Sequence, residues 1–87
     1  MVIIYHNQMV GGGAKGTFME ILAERLRLLR KERKLTQEEF ARFMGLSTGG
    51  YQRYELNERE PSASQIVDFS KYFDVSADFL LGLSDQR

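Results

Sequence analysis

The chain of 87 residues has no cysteine, one proline, one histidine, no net charge and no long apolar run. Each shortage narrows what the molecule can be. Without cysteine, neither a disulfide framework nor a cysteine-ligated zinc site can hold the fold together, and nothing points to an oxidising compartment. A hydrophobic core must stabilise the fold unaided. With 43% hydrophobic and 28% charged residues, the chain has room for one small domain with a modest core, which argues against a multi-domain enzyme. The apolar opening Val2-Ile3-Ile4-Tyr5 is interrupted by His6, Asn7 and Gln8, well short of the ~20 residues a membrane span requires. No basic segment precedes it, so it does not read as a secretory signal. The expected location is the cytoplasm, without a membrane partner.

Catalytic chemistry finds few candidates. His6 has no cysteine or acid near it in sequence and reads as an exposed or structural residue. Glu38 and Glu39 are adjacent on a helix, so they point in different directions, and acids there suit the helix dipole. Gly11-Gly12-Gly13-Ala14-Lys15-Gly16 has the wrong spacing for a phosphate-binding loop. With no nucleophile set, metal set or cofactor motif, neither enzymatic activity nor a cofactor is expected.

The neutral total hides an uneven distribution. Twelve basic and twelve acidic residues cancel, yet Arg25, Arg27, Arg30, Lys31, Arg33 and Lys34 crowd one segment, with Glu32 as the only acid among them. A solvated helix face and an anion-facing patch both fit that run.

Taken in order, Val2–Val10 followed by glycines reads as a short β-strand on a flexible tether, one that would have to pair with a second copy if ordered. The alternative is an extension that precedes a true start at Met19. Residues 1–18 are thus an N-terminal arm and residues 19–87 a folded domain. From Met19 the period becomes helical, with Leu22, Leu26 and Leu29 on one stripe, and the first helix runs to about Lys34. Thr36 with Glu39 forms a capping box that opens a second helix, which Gly45 closes. Ser47 caps a third, whose Tyr51 and Tyr54 point inward. After the polar loop Leu56–Pro61, Ser62 or Ser64 caps a fourth helix carrying Ile66, Phe69 and Phe73. Ser76 caps a short fifth, which stops at Gly82.

Two short helices joined by a tight turn over Thr36–Glu55 make a helix-turn-helix. The residues that carry a wider resemblance are Leu35-Thr36-Gln37-Glu38-Glu39-Phe40-Ala41, Gly45-Leu46-Ser47, Tyr54-Glu55, Pro61-Ser62, Phe73-Asp74-Val75-Ser76 and Phe79-Leu80-Leu81-Gly82. With these motifs the chain resembles the Cro/repressor-type helix-turn-helix family, also called the xenobiotic-response-element family, across Met19–Asp85. The resemblance implies an all-α, compact five-helix domain of the lambda-repressor type, to which the extended N-terminal arm read above, residues 1–18, is an addition outside the resemblance. It also implies a transcriptional regulator, a repressor, that binds double-stranded DNA as a homodimer. The third helix, about Thr48 to Glu55, would lie in the major groove, which admits one helix and presents a distinct donor and acceptor pattern for each base pair.

Candidate DNA-binding residues follow from the resemblance and from helical period. Thr48, Gly49, Gln52 and Arg53 face outward on the third helix, next to its cap Ser47. Arg53 can bond bidentately to guanine, and Gln52 can do so to adenine or can meet a phosphate. Gln37, at the start of the second helix, matches a family position that contacts the DNA backbone. Asn57, Arg59 and Ser62 follow the third helix, where family members also touch phosphates. Two departures stand out. Gly49 and Gly50 replace the polar, base-reading side chains that the family usually carries, either to allow close backbone approach or because specific readout is lost. Phe43 falls beside a solvated face, as an unremarkable exposed residue or as a contact for the arm or a partner. Around the fifth helix, Phe79, Leu81 and Leu83 are candidate dimer contacts, whereas Leu80 belongs to the core. A protein-interaction module such as an antitoxin or anti-repressor, with a protein partner and weak DNA affinity, is the competing class.

Overall fold

The computed structural model describes residues 17–87. The expected N-terminal strand, glycine tether and His6 lie outside the described residues. Within them there are five helices and no strand: α1 (Thr17–Glu32), α2 (Gln37–Phe43), α3 (Thr48–Glu55), α4 (Ala63–Phe73) and α5 (Ala77–Leu81). The all-α, five-helix architecture implied by the resemblance is present. The first helix is displaced from its expected bounds, starting at Thr17 rather than Met19 and stopping at Glu32 rather than Lys34.

Local chemistry sets both ends of these helices. The Thr36 hydroxyl accepts from the Glu39 amide at 3.0 Å while the Glu39 carboxylate accepts from the Thr36 amide at 2.9 Å, completing the capping box. Of the two serines that could open α4, it is Ser62 that does so, in a second capping box with Gln65. Ser47 and Ser76 cap α3 and α5 with single side-chain bonds. At the C-terminal ends, Lys34, Gly45, Asn57, Asp74 and Gly82 all adopt positive φ. Each is followed by an amide that reaches back to a carbonyl five residues earlier, such as Leu46 to Ala41 at 2.8 Å and Glu58 to Arg53 at 2.8 Å. This left-handed closure satisfies carbonyls that the helix leaves free and fixes the direction in which the chain departs. Lys34 therefore closes α1 instead of extending it.

The stripes chosen by period meet in one core. Leu26, Phe40, Tyr51, Phe69 and Leu80 are its largest fully buried side chains, drawn from all five helices. Phe40 sits at the centre, with ring centroids 5.0 Å from Tyr51, 5.8 Å from Phe69 and 5.0 Å from Phe73. Aromatic contacts of this kind add to what burial alone contributes, and truncating such a ring costs about 3–5 kcal/mol. Phe40 and Tyr51 in contact lock α2 against α3, which fixes the angle of the helix-turn-helix.

Phe79 departs from expectation. It is buried at 6% exposure, not a surface contact. The Arg25 guanidinium lies 4.2 Å from its ring centroid and that of Arg87 lies 5.4 Å away, so two cations cover an otherwise exposed aromatic face. Leu81 is half-buried against the core, and Leu83 remains exposed.

Candidate nucleic-acid interface

The inner side of α3 carries the least expected feature. Glu55, one turn beyond Tyr51 on the same face, is a buried carboxylate at 5% exposure. A buried charge needs partners, and it has three. Arg30 donates through Nε at 2.6 Å and through Nη2 at 3.0 Å, a bidentate pair from α1. The Tyr51 hydroxyl donates to the same carboxylate, and Gln37 donates its side-chain amide at 3.0 Å. Arg30 also donates through Nη1 to the Leu35 carbonyl at 2.8 Å, which ties in the turn between α1 and α2. One cluster thus joins α1, α2 and α3.

The cluster's electrostatics follow from its partners. Burial works against the charge on Glu55, but the hydrogen bonds from Arg30, Tyr51 and Gln37 outweigh it and hold the carboxyl below its usual range. The bond to Glu55 raises Arg30 further. Burial first, then the bond to Glu55, pushes the Tyr51 phenol up, so it stays a donor. The basic run from Arg25 to Lys34 is accordingly neither one solvated face nor one patch. Arg30 is internal, and Arg25 donates to the Phe79 and Ser84 carbonyls at 2.5 and 2.8 Å and to Asp85 at 2.9 Å.

From this cluster a chain of amides runs to the surface. The Gln37 side-chain carbonyl accepts from the Gln52 amide at 3.0 Å, so two candidate contact residues, one on α2 and one on α3, are bonded to each other. Gln37 is half-buried and Gln52 is exposed. One N–H of Gln37 is already used on Glu55, leaving the second as a donor to a partner. The outward face beside them holds Thr48 half-buried and Ser47, Gly49 and Arg53 exposed. Among the described residues Arg53 and Arg59 take part in no ion pair.

The remaining candidates have structural duties as well. Ser47 accepts from the Gly50 amide at 3.0 Å, and Ser62 accepts from the Gln65 amide at 3.1 Å. Asn57 provides the left-handed residue that closes α3, at φ 59°, and its side-chain oxygen is buried without a partner among the described residues. Arg59 is exposed in the loop. Phe43 is 57% exposed and stacks on Tyr72 at 6.2 Å between centroids. Sequence reasoning missed Glu55 and Arg30 as a pair. The available signal was an acid four residues after the inward Tyr51, which places a charge on an apolar face.

Comparisons with known proteins agree with a helix-turn-helix. A helix-turn-helix family model matches residues 26–80. YobD of Bacillus subtilis (strain 168), an uncharacterised HTH-type transcriptional regulator, is 40% identical over 62 residues, covering 71% of this chain and 55% of that protein. A second such regulator from the same organism, YqaE, is 39% identical over 68 residues, covering 77% and 59%. Repressor protein C2 of Salmonella phage P22 is 31% identical over 62 residues, covering 71% of this chain and 29% of the repressor. The chain thus spans a little over half the length of the Bacillus relatives it matches. Among the described residues no helix is long and apolar enough to cross a membrane.

Proposed function

The chain belongs to the helix-turn-helix family of Cro/repressor type, and from that premise we propose that it is a transcriptional repressor that binds a roughly palindromic DNA operator as a homodimer. The observation that carries the proposal is the contrast within α3. Its inner side is fixed by Tyr51, Tyr54 and Glu55, while Gly49, Gln52 and Arg53 are left exposed on the other side. A helix held so rigidly can present its outer residues to base edges at a fixed depth.

In this reading Arg53 bonds to the O6 and N7 of a guanine, and Gln52 and Thr48 read or flank neighbouring pairs. Gln37 donates its remaining N–H to a phosphate and holds Gln52 in place. Ser47 and Gly49 approach the backbone at the start of α3, while Asn57, Arg59 and Ser62 meet the phosphates beyond its end. Two copies place their α3 helices about 34 Å apart on one face of the duplex. Such a protein represses by occupying the site.

A second reading, a helix-turn-helix that binds a protein, draws on the zero net charge of the chain. Selection from a pool of random duplexes at two salt concentrations separates the two. The repressor reading expects an enriched palindromic site and a log–log salt slope of about −0.9 per phosphate neutralised. No enrichment and no slope would favour the protein-binding module instead.

A further inference from the structure

The four described glycines differ in what the fold asks of them. Gly45 and Gly82 adopt φ of 72° and 83°, a region that favours glycine. At Gly50 a Cβ would fall 2.9 Å from the Ser47 hydroxyl that caps α3. At Gly49 a Cβ would meet nothing within 4 Å among the described residues, and φ is not in the left-handed region. A methyl group fits there among the described residues. Glycine in a helix is also unfavourable relative to alanine. Neither space nor φ among the described residues requires a glycine at 49.

Its position gives it another use. Gly49 and Tyr51 are two residues apart, roughly 200° around the helix axis, and Tyr51 is fully buried. Gly49 therefore lies almost opposite the core. Arg53 follows it by four residues, so the two share one line along the outward face. Side chains on a helix lean toward its N-terminus and cover the preceding turn. For Arg53 that turn contains Gly49.

We propose that Gly49 is a specificity-determining residue of the DNA-reading face. Its missing side chain makes the backbone of the first turn of α3 part of the contact surface and clears the line along which Arg53 reaches its base. This rests on the DNA-binding reading above. Gln52 is held to one side by Gln37, so base discrimination concentrates on Arg53, and the depth at which α3 seats is set by Gly49.

The full chain and its Gly49→Ala variant, compared on the duplex selected by the unaltered protein, test this. A methyl group in open space on a helix stabilises the fold, so the expected Tm is higher by about 2–5 °C. Binding moves in the opposite direction, with affinity at least tenfold weaker and a flatter preference at the base pair read by Arg53. A better-folded variant that binds worse cannot be explained by damage to the fold. Equal affinity and equal preference would overturn the role of Gly49 while leaving the DNA-binding reading intact, and a lowered Tm would overturn the open-space argument. If the unaltered chain selects no duplex, it is the underlying reading that falls.

Discussion

On its inner face α3 turns Tyr51, Tyr54 and Glu55 into the core, and the polar groups of all three have partners within the chain. On its outer face, among the described residues, a Cβ at Gly49 would have open space around it and Arg53 is in no ion pair. In the proposed reading, stability and recognition fall to different sides of one eight-residue helix. Changes on one side should move unfolding, and changes on the other should move binding. The amide pair of Gln37 and Gln52 lies where the two sides meet.

A comparison of ion pairs shows how strongly burial sets the terms. Arg30–Glu55 and Arg87–Glu32 are both bidentate, with closest approaches of 2.6 Å. The first has side chains 9% and 3% exposed, the second 46% and 44%. Geometry alike does not mean energy alike, because an uncompensated charge is costly only where water is excluded.

The largest effect is expected from breaking the inner pair on one side only. Glu55→Ala leaves Arg30 buried without its counter-charge and should lower the unfolding free energy by about 3–5 kcal/mol in a urea titration. Replacing both partners with apolar residues, Arg30→Met with Glu55→Leu, should cost far less. If the double variant is as unstable as the single one, the pair is not the source of the loss.

Acid sensitivity comes next. Glu55 is held below its ordinary range when folded, so its contribution is full above the unfolded carboxyl value, about 4.3, and is lost as pH falls through the folded value. Tyr51 has the opposite sign. Burial first raises its phenol, so that contribution is full below the unfolded value of about 10 and is lost as pH rises further. Unfolding free energy measured against pH should plateau between these limits, and the apolar double variant should lose less stability in acid.

The smallest effect is expected at the exposed pair. Arg87→Ala should change stability little, and the change should shrink as salt is added. A loss approaching that of Glu55→Ala would show that the cover over Phe79, not the ion pair, makes Arg87 matter.

How far the sequence revealed this depends on the distance over which each feature acts. The capping box of Thr36 and Glu39, the caps at Ser47 and Ser76, and the closures at Gly45 and Gly82 were legible, since each is decided within a few residues. Lys34, Asn57 and Asp74 close helices in the same way but carry no glycine to announce it. The Arg30–Glu55 pair spans 25 residues and was hidden inside a basic run that looked like surface. Phe79 was misplaced because a five-residue helix offers barely one turn of periodicity, and because Arg25 and Arg87 cover it from distant parts of the chain. For the candidate site, the inward Tyr51 and Tyr54 were legible from period. The bond between Gln37 and Gln52 was not, because it depends on how α2 crosses α3.

The separation of the two faces of α3 is tested most directly by the Arg53→Ala variant, with urea unfolding and base preference on the selected duplex measured in the same preparation. The expected unfolding free energy lies within about 0.5 kcal/mol of that of the unaltered chain, together with a loss of about 1–3 kcal/mol of discrimination at one base pair per half-site. Unchanged base preference, or a loss of binding accompanied by an equal loss of fold stability, would contradict it.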